Sequence, residues 1–109
     1  MGLTKSEIFS EKQNKLAGIF KVLGHPARIA ILQQIIERKQ CINAGLVADL
    51  GLAQATISQH LQELKKSGII KGNISGNSMF YCIDNEVWNE VKSEIASFFN
   101  AYESQNSSC

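Results

Sequence analysis

Residues 53–67 have the pattern of one amphipathic helix. The apolar residues Ile57, Leu61 and Leu64 recur at spacings of four and three, which is the spacing of a single buried helix face. Gly68, directly after the segment, is a typical helix stop. The pattern therefore predicts a helix that buries one side and presents polar side chains on the other.

A shorter helix is predicted immediately before this one. Asn43 can cap a helix over Ala44–Leu50, and Gly51 would end it. Two short helices around a tight turn that contains glycine form a helix-turn-helix. The sequence therefore predicts this motif over its middle third.

A β-hairpin is predicted after the helix-turn-helix. Residues 69–74 and 79–83 are rich in β-branched and aromatic side chains, and the residues between them, 75–78, are serine, glycine and asparagine. Such runs separated by turn-forming residues are typical of two antiparallel strands. The hairpin would be the wing of a winged helix-turn-helix.

Longer helices are predicted at both ends of the chain. Helical apolar spacing favours one helix over residues 6–23, with Thr4 and Glu7 in a capping-box pattern, and a second over Pro26–Arg38. Residues 85–103 carry apolar side chains at alternating steps of three and four, which is typical of a helix-packing seam. The expected fold is mainly α with a small β-hairpin: about five helices and a two-stranded wing.

The composition indicates one ordered domain. Hydrophobic residues make up 44% of the chain and charged residues 19%, which is the composition of a globular protein. No apolar run reaches the roughly 20 residues of a membrane span, and residues 1–15 lack the apolar core of a signal peptide, so we expect no membrane association and a cytoplasmic location. The domain is predicted to cover residues 1–103, with a frayed, disordered tail at 104–109.

The net charge of +1 hides an uneven distribution. Residues 54–77 contain Lys65, Lys66 and Lys71 against a single glutamate, whereas residues 84–103 contain five acidic residues against one lysine. A basic middle segment is what phosphate binding requires.

The polar side of the helix over residues 53–67 carries the chemistry of a DNA reader. Amide and hydroxyl groups can bond base edges, methyl groups can contact thymine, and lysines can neutralise phosphates. The residues alone leave open that this is an ordinary solvated face. The predicted DNA-binding side chains on this helix are Gln54, Ala55, Thr56, Ser58, Gln59, Gln62, Lys65 and Lys66, and Lys71 joins them from the first strand of the hairpin.

Three segments, in this order and spacing, resemble the ArsR/SmtB family of winged-helix repressors. They are GHPARIAIL at 24–32, GLAQATISQHLQELKKSGIIKG at 51–72 and FYCID at 80–84. The resemblance covers about residues 16–99. It implies a transcriptional repressor that binds double-stranded DNA as a homodimer, with its recognition helices in successive major grooves of an inverted repeat.

The resemblance also implies roles for single residues. It places Gln54, Ala55, Ser58 and Gln59 at base-reading positions and Asn77 at the wing tip. We expect Arg28 to pair with either a phosphate or a carboxylate.

His25 and His60 belong to the shared motif, and structural roles are favoured over phosphate contact or pH-sensitive binding. The first and last helices would form the dimer interface. Its predicted residues are Phe9, Leu16, Phe20, Trp88, Val91, Ile95, Phe98, Phe99 and Tyr102.

The sequence identifies no effector and no cofactor. Many members of the family release DNA when a metal binds, but residues 85–103 contain no histidine and Cys41 lacks the second cysteine of a C-x-C pair. Cys41 and Cys82 remain weak candidates for binding a soft metal ion or for oxidation, and an apolar ligand pocket at the aromatic seam is another alternative. Because the three cysteines are odd in number and no export signal is present, we expect thiols and no disulfide framework.

Two other classes of protein are alternatives to the repressor. An enzyme is disfavoured because the chain has no G-x-S-x-G, no P-loop, no H-E-x-x-H and no cysteine with a spaced histidine partner. A winged-helix adaptor for another protein is the stronger rival, since fold does not dictate function. Its interface would favour aromatic and arginine anchors on the 54–66 face, where there are none.

Overall fold

The computed structural model describes residues 5–43, 45 and 50–103. The predicted helix at 44–50 and the predicted tail at 104–109 fall almost wholly outside these residues. Within the described residues the fold is mainly helical with one small sheet, as predicted. The elements are α1 (Lys5–Ile8), α2 (Glu11–Leu23), α3 (Pro26–Arg38), β1 (Ile42–Asn43), α4 (Gln54–Ser67), β2 (Ile70–Ser75), β3 (Ser78–Ile83) and α5 (Asn85–Asn100).

The prediction of one continuous helix over residues 6–23 is wrong. The chain leaves the helical conformation at Ser10, whose backbone is extended at φ −69° and ψ 160°. Ser10 Oγ accepts from the Gln13 backbone N–H at 3.1 Å, and Gln13 Oε1 accepts from the Ser10 N–H at 2.9 Å. This reciprocal pair is a capping box, so it begins a new helix, α2, and separates it from α1.

The core lies between α3, α4 and the sheet. Ile57, Leu61 and Leu64 of α4 are at most 1% exposed, which confirms the predicted inward face. They pack with buried residues from the neighbouring elements, whereas α2 and α5 contain no fully buried residue. The other core residues are Ile31, Leu32, Ile35, Ile42, Ile69 and Ile70.

The predicted hairpin is present, but it is part of a three-stranded antiparallel sheet in the order β1–β3–β2. β1 pairs with β3 through Ile42 opposite Tyr81 and Asn43 opposite Phe80. The additional strand forms because Lys39 ends α3 in the left-handed conformation, at φ 53°, and the chain then runs back along the sheet with Ile42 fully buried. At the hairpin tip Gly76 has φ 64°, which suits glycine at the first position of a two-residue turn.

The expectation of free thiols is wrong for two of the three cysteines. Cys41 and Cys82 form a disulfide, with Cα atoms 4.3 Å apart. The register that pairs Ile42 with Tyr81 places Cys41 opposite Cys82, so the two side chains meet although they are far apart in sequence. In this form neither sulfur is the thiolate that the metal or oxidation hypotheses required.

Candidate nucleic-acid interface

Helix α4 presents the predicted polar face to solvent. It begins after Ala53, which is extended at φ −62° and ψ 146°, and ends at Gly68 in the left-handed conformation at φ 88°. Between these ends the buried side carries the core residues. Every residue predicted for the opposite face is exposed: Gln54, Ala55, Thr56, Ser58, Gln59, Gln62, Lys65 and Lys66.

The first turn of α4 is open to an anion. The N-cap residue, Ala53, offers no side chain that could cap the backbone N–H groups, and the turn contains no acidic residue. Free N–H groups at a helix N-terminus carry partial positive charge and bind phosphate oxygens. The end of the helix that carries Gln54 and Ala55 can therefore approach a phosphate backbone closely.

The hairpin carries two further residues of the predicted DNA-binding set. Lys71 of β2 and Asn77 of the hairpin turn are both exposed. The Lys65 side chain reaches towards the wing, since a Cβ built on Gly72 would lie 3.5 Å from Lys65 Nζ. The positive charge of α4 therefore extends to the face of β2 on which Gly72 lies. Lys71, the neighbouring residue in the strand, lies on the other face of the sheet, opposite Cys82.

Arg28 has neither a phosphate nor a carboxylate among its described partners. Its Nε donates to His60 Nδ1 at 3.1 Å, and its Nη1 donates to the Val22 carbonyl at 3.1 Å. One arginine of α3 thus joins the end of α2 to α4. These bonds turn the guanidinium towards the protein.

The two histidines take structural positions. His25 caps α3, because its Nδ1 accepts from the Ala27 N–H at 3.1 Å. His60 is 7% exposed, and its ring centroid lies 4.2 Å from that of His25. Burial, with added repulsion from His25 and Arg28, lowers the pKa of His60 from its ordinary value of 6.5. A neutral ring is also what an acceptor at Nδ1 requires.

An apolar surface lies where α2 and α5 meet. The Phe20 ring is 6.3 Å from each of the rings of Phe98 and Phe99, which are 5.3 Å from one another, in edge-to-face arrangements. These three rings are 38%, 55% and 61% exposed. Of the other residues predicted for the dimer interface, Phe9 and Tyr102 are exposed, and Leu16, Trp88, Val91 and Ile95 are half-buried.

The described parts of the chain contain no group of three or more histidine, cysteine or acidic residues placed to hold a metal ion. No helix among the described residues is long and apolar enough to span a membrane.

Comparisons with known proteins agree with this geometry. The model of the bacterial regulatory protein family arsR matches residues 25–71. An uncharacterised HTH-type transcriptional regulator of Methanocaldococcus jannaschii is 37% identical over 83 residues, which cover 75% of this chain and 93% of the relative. The HTH-type transcriptional repressor SmtB of Mycobacterium tuberculosis is 38% identical over 63 residues, 58% of this chain and 46% of the relative.

A third relative has a solved structure. The uncharacterised HTH-type transcriptional regulator Rv0081 of M. tuberculosis is 41% identical over 75 residues, and the match spans 68% of this chain and 66% of the relative's length. Its crystal structure superposes with a TM-score of 0.61 at 32% identity, covering 84% of this chain and 97% of the other. The chain therefore belongs to the arsR family of bacterial regulatory proteins, and it is a DNA-binding transcriptional regulator with a winged helix-turn-helix fold rather than an enzyme.

Proposed function

We propose that this protein represses transcription by binding an inverted-repeat operator as a homodimer. The observation that carries the proposal is the exposed amide-, hydroxyl- and lysine-bearing side of α4, opposite its buried Ile57, Leu61 and Leu64. Repression needs only that the bound protein block the promoter, and one relative is named a repressor. Because its target is the chromosome, the proposed location is the cytoplasm.

The proposed DNA contacts divide by chemistry. Gln54, Ser58 and Gln59, in the first half of α4, enter the major groove, where a glutamine amide can pair with adenine and a hydroxyl with several base edges. Ala55 and the Thr56 methyl contact thymine, and Gln62 extends the polar side. Lys65, Lys66 and Lys71 contact phosphates, and Asn77 contacts DNA at the tip of the wing.

The proposed dimer forms through the α2 and α5 surface. Exposed aromatic rings in one cluster are costly in water and are typical of an association surface. Two recognition helices must lie about 34 Å apart to enter successive major grooves, which requires two subunits. The proposed interface residues are Phe9, Leu16, Phe20, Trp88, Val91, Ile95, Phe98, Phe99 and Tyr102.

The phosphate contacts are tested by the salt dependence of binding to the protein's own promoter region. Affinity should fall steeply between about 50 and about 200 mM salt. Lys66→Ala should weaken binding to all sequences alike and reduce the slope of log affinity against log salt by about 1. Fluorescence anisotropy with labelled duplexes measures both quantities.

Lys21→Ala is the matched control, because Lys21 is an exposed lysine that belongs neither to the proposed DNA contacts nor to the proposed dimer interface. It should leave the affinity and the salt slope unchanged. Binding that is absent, or that does not depend on salt, would contradict the proposed function.

A further inference from the structure

A groove of about 670 Å³ lies between the end of α3, the sheet and the start of α5. Its volume falls within the roughly 300–1,000 Å³ typical of small-molecule sites. The Cys41–Cys82 disulfide lies in its wall. Lys39, Lys71, Asn73 and Trp88 are among the other residues that line the groove.

The two sulfur-bearing residues differ in accessibility. Cys41 is exposed, whereas Cys82 lies within β3 and is 8% exposed. Thiol–disulfide exchange depends on which sulfur the incoming thiolate can reach. A small thiol entering the groove therefore meets Cys41 first.

Asn73 makes Cys82 the better leaving group. Its Nδ2 donates to Cys82 Sγ at 3.3 Å. A hydrogen-bond donor directed at a sulfur stabilises the negative charge that the sulfur takes when the S–S bond breaks. The hydrogen bond from Asn73 and the exposure of Cys41 therefore favour the same direction of attack, with Cys82 as the departing sulfur.

The charge of the groove selects for an anion. Lys39 and Lys71 line it, and Lys71 lies directly opposite Cys82 in the β2–β3 register. None of the described side chains that line the groove is a carboxylate. A concave surface with one sign of charge concentrates ligands of the opposite sign.

We propose that this groove is a thiol–disulfide exchange site for a small anionic thiol. The thiolate of that molecule attacks Cys41 Sγ and forms a new S–S bond. The Cys41–Cys82 bond breaks, and its electron pair leaves on Cys82 Sγ. The small thiol is thereby oxidised to a mixed disulfide on Cys41, and Cys82 is reduced to a thiolate.

Exchange removes the covalent link between the start of β1 and β3. The two strands are then held together only through the pairing of Ile42 and Asn43 with β3. In a repressor of the proposed kind, this would loosen the support of the wing. The chemical step itself involves no DNA, so its test is independent of the proposed function.

The site of attack is tested with oxidised protein carrying Cys109→Ser, in which Cys41 and Cys82 are the only cysteines. The protein is mixed with glutathione, a thiol with net negative charge, quenched with acid, alkylated and mapped by peptide mass spectrometry. We expect early glutathione adducts on Cys41 and alkylation on Cys82. Adducts that fall mainly on Cys82, or equally on both residues, would overturn the proposal.

The role of charge is tested by comparing glutathione with the neutral thiol 2-mercaptoethanol. Both thiols attack as thiolates, but reacting glutathione carries a larger net negative charge than reacting 2-mercaptoethanol. Replacing both lysines, Lys39→Gln with Lys71→Gln, should therefore slow opening by glutathione about tenfold at low ionic strength and slow opening by 2-mercaptoethanol much less. Raising the salt concentration should likewise slow the opening of the protein with both lysines intact more for glutathione than for 2-mercaptoethanol. This second measurement does not depend on whether the variant folds. Equal effects on both thiols would contradict an anion-selective groove.

Asn73→Ala removes the hydrogen bond to Cys82 Sγ and leaves the two lysines in place, so it tests the contact with the sulfur independently of charge. It should slow opening by both thiols and reduce the preference for adducts on Cys41. Unchanged rates and an unchanged adduct distribution would show that Asn73 does not direct the exchange.

Discussion

At the scale of single residues, His60 joins the framework that supports the DNA-facing helix. It lies on α4 and accepts from Arg28 of α3, which also bonds the last turn of α2 at Val22. The bond to Nδ1 needs that nitrogen unprotonated, and burial opposes the charged ring. The orientation of α4 therefore depends on a neutral histidine.

The pH dependence follows from the lowered pKa of His60. The folded protein binds this proton less readily than the unfolded chain, so the contribution of His60 to stability is complete above pH 6.5 and is lost as the pH falls below it. His60→Gln keeps an acceptor for Arg28 but cannot titrate. Urea unfolding should therefore show a smaller loss of stability for the variant than for the unsubstituted protein between about pH 7.5 and about pH 5.5. Equal losses would show that His60 is not the group responsible.

At the scale of secondary-structure elements, the sequence predicts the elements that depend on local patterns but not those that depend on pairing between distant strands. The buried face of α4, the hairpin and the start of α3 at Pro26 were predictable because spacing, β-branched runs and proline act within a few residues. β1 was not, because two residues carry no periodicity and Ile42 is a strand residue only through its pairing with Tyr81. The disulfide was missed for the same reason, since its geometry depends on that register.

The break between α1 and α2 could have been found. Ser10 and Gln13 form an S-x-x-Q pattern, which is as good a capping signal as the one at Thr4 and Glu7. The continuous apolar spacing on either side concealed it. Two caps in one helical pattern should therefore be taken as evidence for two helices.

The disulfide should stabilise the pairing of these elements. It closes a loop of sequence separation 41, and such cross-links typically contribute about 2–4 kcal/mol to the free energy of unfolding. Urea denaturation should show a loss of this size on adding reductant. Cys82→Ser should already have the lower stability and should not respond to reductant. Superimposable curves for the oxidised and reduced protein would contradict a structural role for the disulfide.

At the scale of the whole molecule, the described surface has two regions of different chemistry, one polar and basic and the other aromatic. α4 and the wing present amides, hydroxyls and lysines, whereas α2 and α5 present the exposed phenylalanine cluster. Helical spacing predicted the exposed side of α4, whereas the pairing of the first and last helices was implied by the family resemblance. Contacts between subunits and with DNA lie beyond a single chain, so they stay as proposals.

Dimerisation should depend on the phenylalanine cluster. Phe98→Glu places a charge among the rings and should weaken the dimer by about thirtyfold or more, equivalent to about 2 kcal/mol, as expected for an interface hot spot. Sedimentation equilibrium measures the dissociation constant. Ile74→Glu is the matched control, since Ile74 is 76% exposed on β2, away from α2 and α5. Equal weakening by both substitutions, or an unsubstituted protein that stays monomeric at high concentration, would refute the proposed interface.

The claim that α4 reads DNA sequence is tested most directly by Gln59→Ala, with Gln33→Ala, an exposed glutamine of α3, as the matched control. Competition binding should compare the operator with duplexes that carry single base changes. Gln59→Ala should lose about 1–3 kcal/mol of discrimination at one base pair, while Gln33→Ala should discriminate as the unsubstituted protein does. Full discrimination by Gln59→Ala at every position would contradict a base-reading role for α4, and so would a loss of affinity that is the same for all sequences.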